Sequence, residues 1–269
     1  MDSLPVVVDS QADADFREVV TNIYGPSATE LNYVEHEFGH IRHMFTTGIC
    51  SANGKVLEYG CNVGATAIVL SCLGGEVTAV DVNPAVLEAA RLNARRFGKD
   101  ITFLQITSGA ALPFADSTFD LVVCNSVLEY VYPEQLRHQQ QELYRVLRPG
   151  GRILVFGTSS RLWPKEKHSN SWFNNYTPIW IDRITGRRRA RGVAPWNIRH
   201  GFGATKDVLK EMGPGALIEV KDRVGQSAKM RSVLLKLSTL AKSLGTSNGL
   251  LLPWIVAVLE KDGSREKSA

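Results

Sequence analysis

The sequence predicts an α/β domain: a parallel sheet wrapped by helices on both faces. Three observations carry that expectation. Short apolar runs alternate with helical patterns between residues 56 and 157. The run Val56-Leu57-Glu58-Tyr59-Gly60-Cys61-Asn62-Val63-Gly64 reads as a strand, a tight glycine turn and a helix start. The next apolar run ends on a carboxylate, Asp81, placed to hold a ribose.

Taken in order, residues 1–13 read as a loose tail, and 16–24 and 30–47 as helices before the first strand, forming a lid at 14–50. Strands are expected at 56–58, 77–81, 101–105, 121–125 and 152–157, separated by helices at 65–73, 84–97 and 133–147. The helix after Asp81 is well signalled, with Asn83 as cap, Pro84 at its first position and Val86, Leu87, Ala90 and Leu92 as its apolar stripe. Beyond 157, a helix is expected at 205–212 and the last two strands at 217–221 and 254–260. The whole, 1–269, reads as one elaborated domain with its core at 51–160, an insertion at 160–202 and the end of the sheet at 203–262.

The turn has a chemical logic. Gly60 and Gly64 let backbone approach a ligand with no Cβ in the way, and the amides opening the helix at Ala65 are expected to face it. Asp81 offers acceptors for vicinal hydroxyls.

Further blocks follow: Leu112-Pro113-Phe114, then Asp116 to Tyr130 with Asp120-Leu121-Val122-Val123-Cys124-Asn125-Ser126, then Leu147-Arg148-Pro149-Gly150-Gly151-Arg152-Ile153-Leu154-Val155. In this order they resemble the class I S-adenosylmethionine-dependent methyltransferase family, closely over about 50–160 and loosely elsewhere. The resemblance implies a Rossmann-like seven-stranded sheet of order 3-2-1-4-5-7-6 with the last strand antiparallel. It also implies S-adenosylmethionine as cofactor, held by Glu58, Gly60, Cys61, Asn62, Gly64, Asp81, Val82, Ser108, Gly109, Ala110, Asn125 and Ser126. Two positions depart from the family pattern. Asn62 replaces the middle glycine of the turn and is expected to contact the methionine end; Ser108 stands where an acidic residue commonly meets the adenine. Tyr130 follows Glu129 where the family often has Glu-His, which removes a base from that position.

The 160–202 insertion carries Trp163, Trp172, Phe173, Tyr176, Trp180 and Trp196 among Arg183, Arg187, Arg188, Arg189, Arg191 and Arg199. Its aromatics either pack a small core of their own or form a substrate lid for an anionic or sugar-bearing molecule. His168 within it is a candidate proton acceptor. A helix near 227–244, with Met230, Leu234, Leu237, Leu240, Ala241 and Leu244 beside Lys229, Arg231, Lys236 and Lys242, covers the fold or rests on an anionic membrane and admits a lipid-linked acceptor.

His36-Glu37-Phe38-Gly39-His40 matches H-E-x-x-H, the spacing of zinc peptidases. With no distant third ligand evident, no metal is expected; His36 and His40 stand with His168 as catalytic candidates. Cys50, Cys61, Cys72 and Cys124 lack C-x-x-C spacing, and residues 1–11 are acidic where a signal peptide is basic, so a cytoplasmic location is expected.

The resemblance and the insertion together lead to the expectation of methyl transfer to an oxygen or nitrogen of a small-molecule, sugar or lipid-linked acceptor. A nucleic-acid methyltransferase using the arginine cluster is the alternative, weakened by a net charge of only +4. A catalytically idle cofactor-binding subunit is another, motivated by Asn62 and Ser108.

Overall fold

The computed structural model describes residues 4–178, 180–186, 191–213, 215–218 and 228–263. Arg187, Arg188, Arg189 and residues 219–221 fall outside these, as do the side chains of Arg183, Lys229 and Met230. Seven strands form one sheet of order β3-β2-β1-β4-β5-β7-β6, with β1 at Gly54–Tyr59, β2 at Gly75–Asp81, β3 at Thr102–Gln105, β4 at Phe119–Asn125, β5 at Leu147–Ser159, β6 at Thr205–Asp207 and β7 at Trp254–Lys261. The predicted fold class holds, including the antiparallel final pairing of β6 with β7. The chain divides into two compact units, Met1–Val123 with Arg145–Arg152, and Cys124–Tyr144 with Ile153–Ala269.

In the first unit, β1 pairs in parallel with β2 and β4, and β2 with β3, so their carboxyl ends share one edge. The opposite end of β1 is fastened by Asp120, which accepts from the Lys55 amide at 2.7 Å and from Arg148 Nε at 2.5 Å. Helix α1 (Ser10–Tyr24) begins earlier than the sequence suggested, because Asp9 caps it by accepting from the Ala12 amide at 2.9 Å. Its buried Phe16 and Val20 pack with Val63 and Ala89. The Arg96 guanidinium, at the end of α4 (Pro84–Arg96), lies over the rings of Phe16 and Phe97 and meets Asp13 at 3.1 Å. Helix α4 itself starts as expected, with Asn83 accepting from the Ala85 amide at 3.0 Å. Helices α2 (Tyr33–Thr46) and α3 (Ala65–Cys72) complete the unit, with Val34 of α2 packed with Ala65 and Ile68 of α3.

Helix α5 (Pro133–Val146) leads into β5, and the insertion that follows, in the second unit, holds two short helices, α6 (Trp180–Thr185) and α7 (Pro195–Gly201). The insertion is organised around Asn175, which is wholly buried. Its Nδ2 donates to the carbonyls of Ser160 at 3.2 Å and Trp163 at 2.7 Å, and its Oδ1 accepts from the Gly192 amide at 2.7 Å. Arg191 adds an ion pair to Asp182. The large aromatics Trp172, Phe173, Tyr176, Trp180 and Trp196 are exposed instead of forming a core.

Two element assignments differ from the sequence reading. Residues 205–212 are not one helix: Thr205–Asp207 extends and pairs with β7, and only Val208–Met212 (α8) is helical, capped by Asp207 through the Lys210 amide at 3.2 Å. A three-residue strand is too short to show alternation. Residues 217–218, expected in a strand, lie instead in the helical stretch 215–218 with both side chains buried, a case where a short apolar run fits either structure. Further along the chain is helix α9 (Ala228–Ser243), with Leu234 and Ala241 buried.

Candidate cofactor site and the histidine cluster

The turn after β1 is built by backbone accounting. Val80 of the neighbouring strand accepts from the amides of Gly60 at 2.8 Å and Cys61 at 3.0 Å. The Asn62 amide then donates to Asp81 Oδ2 at 2.9 Å, while Asp81 Oδ1 accepts from the Asn83 amide at 3.0 Å. Gly60, Asn62 and Gly64 all have positive φ, at 77°, 48° and 73°. Asparagine is among the few side-chain-bearing residues that accept this conformation readily, which is why it can replace a glycine here. Both Asp81 oxygens are thus engaged by backbone, yet each keeps a second acceptor direction for a hydroxyl.

Other sequence-selected residues gather on the same edge. The Ile106 amide donates to the Asp81 carbonyl at 3.0 Å, which carries the 107–110 turn, with Ser108, Gly109 and Ala110, alongside Asp81. Gly109 takes φ +77° there. The exposed Val82 contributes its carbonyl to Gln105 Nε2 at 3.3 Å. Glu58 lies beneath the turn, 2% exposed, with its Oε2 lacking a hydrogen-bond partner among the described residues. Burial pushes its carboxyl well above the ordinary value, and the nearby charges of Glu37 and Asp81 push the same way.

His36 and His40 stand on α2 with exposed, stacked rings whose centroids are 4.3 Å apart. His36 Nδ1 is 3.4 Å from Glu37, whose hydrogen bond raises the imidazole pKa, and His40 Nδ1 meets the His36 carbonyl at 2.8 Å. Among the described residues no three His, Cys, Asp or Glu side chains are grouped to hold a metal ion.

In the second unit, Asn125 and Ser126 end β4. Ser126 adopts φ +50° and donates its amide to Phe156 at 3.0 Å, and a Cβ at Gly157 would overlap its hydroxyl. His168 Nε2 meets Glu129 Oε1 at 2.5 Å, with the Glu129 side chain 3% and the His168 side chain 22% exposed. The Ser159 amide also donates to Glu129, at 3.2 Å. Glu166 braces the loop, accepting from the amides of His168 at 3.0 Å and Ser169 at 2.6 Å. Trp254 meets the imidazole edge-on with centroids 4.8 Å apart. Although burial lowers the His168 pKa, the hydrogen bond and charge of Glu129 outweigh it and raise the imidazole above its ordinary 6.5. Sequence reasoning missed Glu129 as a partner; its only signal was position just past β4. It also missed Tyr24, whose hydroxyl donates to Asn62 Oδ1 at 2.6 Å. A cavity of about 400 Å³ lies in the same unit, lined by Glu129, Tyr132, Arg161, Asp182 and Arg191 among others.

Comparison with known proteins identifies the segment. Residues 57–155 match the family model described as a methyltransferase domain. The chain is 38% identical over 110 residues to the ribosomal protein L11 methyltransferase of Ralstonia pickettii, covering 40% of this chain and 33% of that protein. It is 40% identical over 103 residues to the Thermus thermophilus protein of the same name, covering 38% of each. The chain therefore spans between a third and two fifths of the length of these curated relatives. In fold, it is similar to a candidate sarcosine dimethylglycine methyltransferase of Galdieria sulphuraria (14% identity, TM-score 0.52, 93% of this chain and 99% of that one). The YcgJ protein of Bacillus subtilis is also similar (19% identity, TM-score 0.50, 85% and 99%).

One expectation is overturned. The relatives are named for a protein acceptor, against the small-molecule, sugar or lipid-linked acceptor read from the insertion. The exposed aromatics, taken there for stacking, are equally the side chains enriched where proteins meet proteins. The membrane reading of the 227–244 helix is withdrawn with it, since Leu234 and Ala241 of that stripe are already covered by protein. No helix among the described residues is long and apolar enough to cross a membrane.

Proposed function

We propose that the chain, whose residues 57–155 match a family model described as a methyltransferase domain, transfers the methyl group of S-adenosylmethionine to an oxygen or nitrogen nucleophile on a protein. The observation that carries this reading is the glycine turn tied to Asp81 through the Asn62 amide, at the carboxyl edge of β1 and β2 where such sheets hold nucleotides. The ribosomal-protein acceptors named for the relatives support the acceptor class.

The residues fit the cofactor. Gly60, Cys61, Asn62 and Gly64 form the bend, Asp81 and Val82 border the ribose position, and Ser108, Gly109 and Ala110 the base. Glu58, buried with an unmatched oxygen beside Glu37 and Asp81, suits a cationic ligand. When bound, the cofactor supplies an electrophilic methyl on a sulfonium that becomes a neutral thioether leaving group. The chain's own contribution is alignment of the nucleophile in line with the carbon–sulfur bond and removal of the nucleophile's proton. Among His168, His36 and His40, the pairing of His168 with the buried Glu129 supports His168 for that proton. The segments 14–50, 51–160, 160–202 and 203–262 then serve as lid, cofactor core, acceptor-facing insertion and sheet completion. Four free thiols are consistent with a cytoplasmic site of action.

The test is calorimetric titration with S-adenosylmethionine and S-adenosylhomocysteine, followed by incubation with methyl-labelled cofactor and purified ribosomal proteins. Heat and label in a protein band are expected. Absence of heat for both molecules overturns the cofactor assignment; heat without transfer supports the idle subunit.

A further inference from the structure

The hydrogen bond that joins α1 to the glycine turn selects which face of the Asn62 amide is offered to a ligand. Tyr24 is the last residue of α1, and its hydroxyl donates to Asn62 Oδ1 at 2.6 Å. Burial, with the charges of Glu30 and Asp81, pushes the Tyr24 phenol up to about 12, so it remains a donor throughout the neutral range. The Asn62 backbone is fixed independently by its amide bond to Asp81. With the oxygen end taken by the phenol, the Nδ2 end is the free one: nothing among the described residues accepts from it. An amide NH2 group only donates, so it pairs with an acceptor such as a carboxylate.

We propose that Tyr24 is a positioning residue for the amino-acid end of the cofactor, holding Asn62 so that its Nδ2 donates to the ligand's carboxylate. This rests on the methyltransferase reading above and adds to it a positioning residue outside the matched 57–155 segment. The geometry explains why asparagine and not glycine occupies the turn. It also explains why α1 is secured so firmly to α4, by Phe16, Val20 and the Arg96–Asp13 contact: a helix that sets an amide orientation within the cofactor turn must not slide.

The experiment compares two ligands. S-adenosylhomocysteine carries the amino-acid carboxylate; 5′-methylthioadenosine has the same nucleoside and sulfur without it. Tyr24→Phe removes one oxygen from a side chain that is 42% exposed, and its melting temperature is checked against the parent. Expected is an approximately threefold to tenfold weaker Kd for S-adenosylhomocysteine, the range of one lost hydrogen bond, with 5′-methylthioadenosine changed less than about twofold. In an Asn62→Ala background, Tyr24→Phe should have no further effect on either ligand. Equal losses for both ligands, unchanged S-adenosylhomocysteine binding, or full additivity with Asn62→Ala overturns the assignment. If the parent protein binds neither ligand, the cofactor reading itself fails, and this inference with it.

Discussion

The Nε2 of His168 and the Oε1 of Glu129 stand 2.5 Å apart, an imidazole at the surface of its unit tied to a carboxylate that is almost wholly buried. His168 sits on a loop braced by Glu166, and Trp254 packs edge-on against its ring. A buried carboxylate of this kind fixes both the orientation of a histidine and its proton affinity.

Glu129→Gln should bring the His168 pKa down toward its ordinary 6.5. Because the folded value is raised, the pair's stabilisation is fully present below the unfolded value and disappears as pH rises through the folded one. The variant should therefore lose about 1–2 kcal/mol at around pH 6 and much less at around pH 9, a modest cost because the ring is partly solvated. If His168 takes the nucleophile's proton, the rising limb of the pH–rate profile should also move to lower pH. Urea melts at the two pH values and a pH–rate series check both.

Glu58→Gln should raise the stability of the ligand-free protein at neutral pH while weakening cofactor binding. A carboxyl whose folded pKa lies above its ordinary 4.5 costs stability as pH climbs from that value through the raised one. Each unit of upward shift corresponds to about 1.4 kcal/mol. The gain should vanish near pH 4, which thermal melts across the acid range would show.

Gly157→Ala should destabilise the protein by about 2–4 kcal/mol, combining a left-handed backbone with overlap against Ser126. Chemical denaturation gives the loss directly. Ser126→Gly in the same chain should recover only part of the steric cost, since Asn125 Oδ1 also lies 2.7 Å from the added Cβ.

Phe16→Ala should cost about 3–5 kcal/mol, since the ring is fully buried and also carries the Arg96 guanidinium. Hydrogen exchange should accelerate first in α1 and at the Asn93 side chain, which donates to the Val63 carbonyl at 2.6 Å beneath the same cluster.

Much of the first unit was legible because each signal there is local. Asn83-Pro84 opens α4 by capping and fixed φ, and the alternation of strand and helix dictates a parallel sheet. The turn residues were readable for the same reason, Gly60 and Gly64 being required by positive φ. What escaped depends on long separations. Tyr24 reaches Asn62 across 38 positions, and Glu129 reaches His168 across 39, and no periodicity encodes either. Strand β6 escaped because three extended residues leading into a cap look like the helix they precede. The acceptor class escaped because aromatics beside arginines describe a composition shared by many kinds of recognition surface.

Asn175 gives the insertion a keystone whose side-chain amide answers only to main chain, through the carbonyls of Ser160 and Trp163 and the amide of Gly192. Because carbonyls and amides are the same whatever residue bears them, the outward rings can be exchanged over evolutionary time without dismantling the scaffold beneath. A lineage could retarget this surface to a new client by swapping Trp172, Trp180 or Trp196, and inherit the architecture intact.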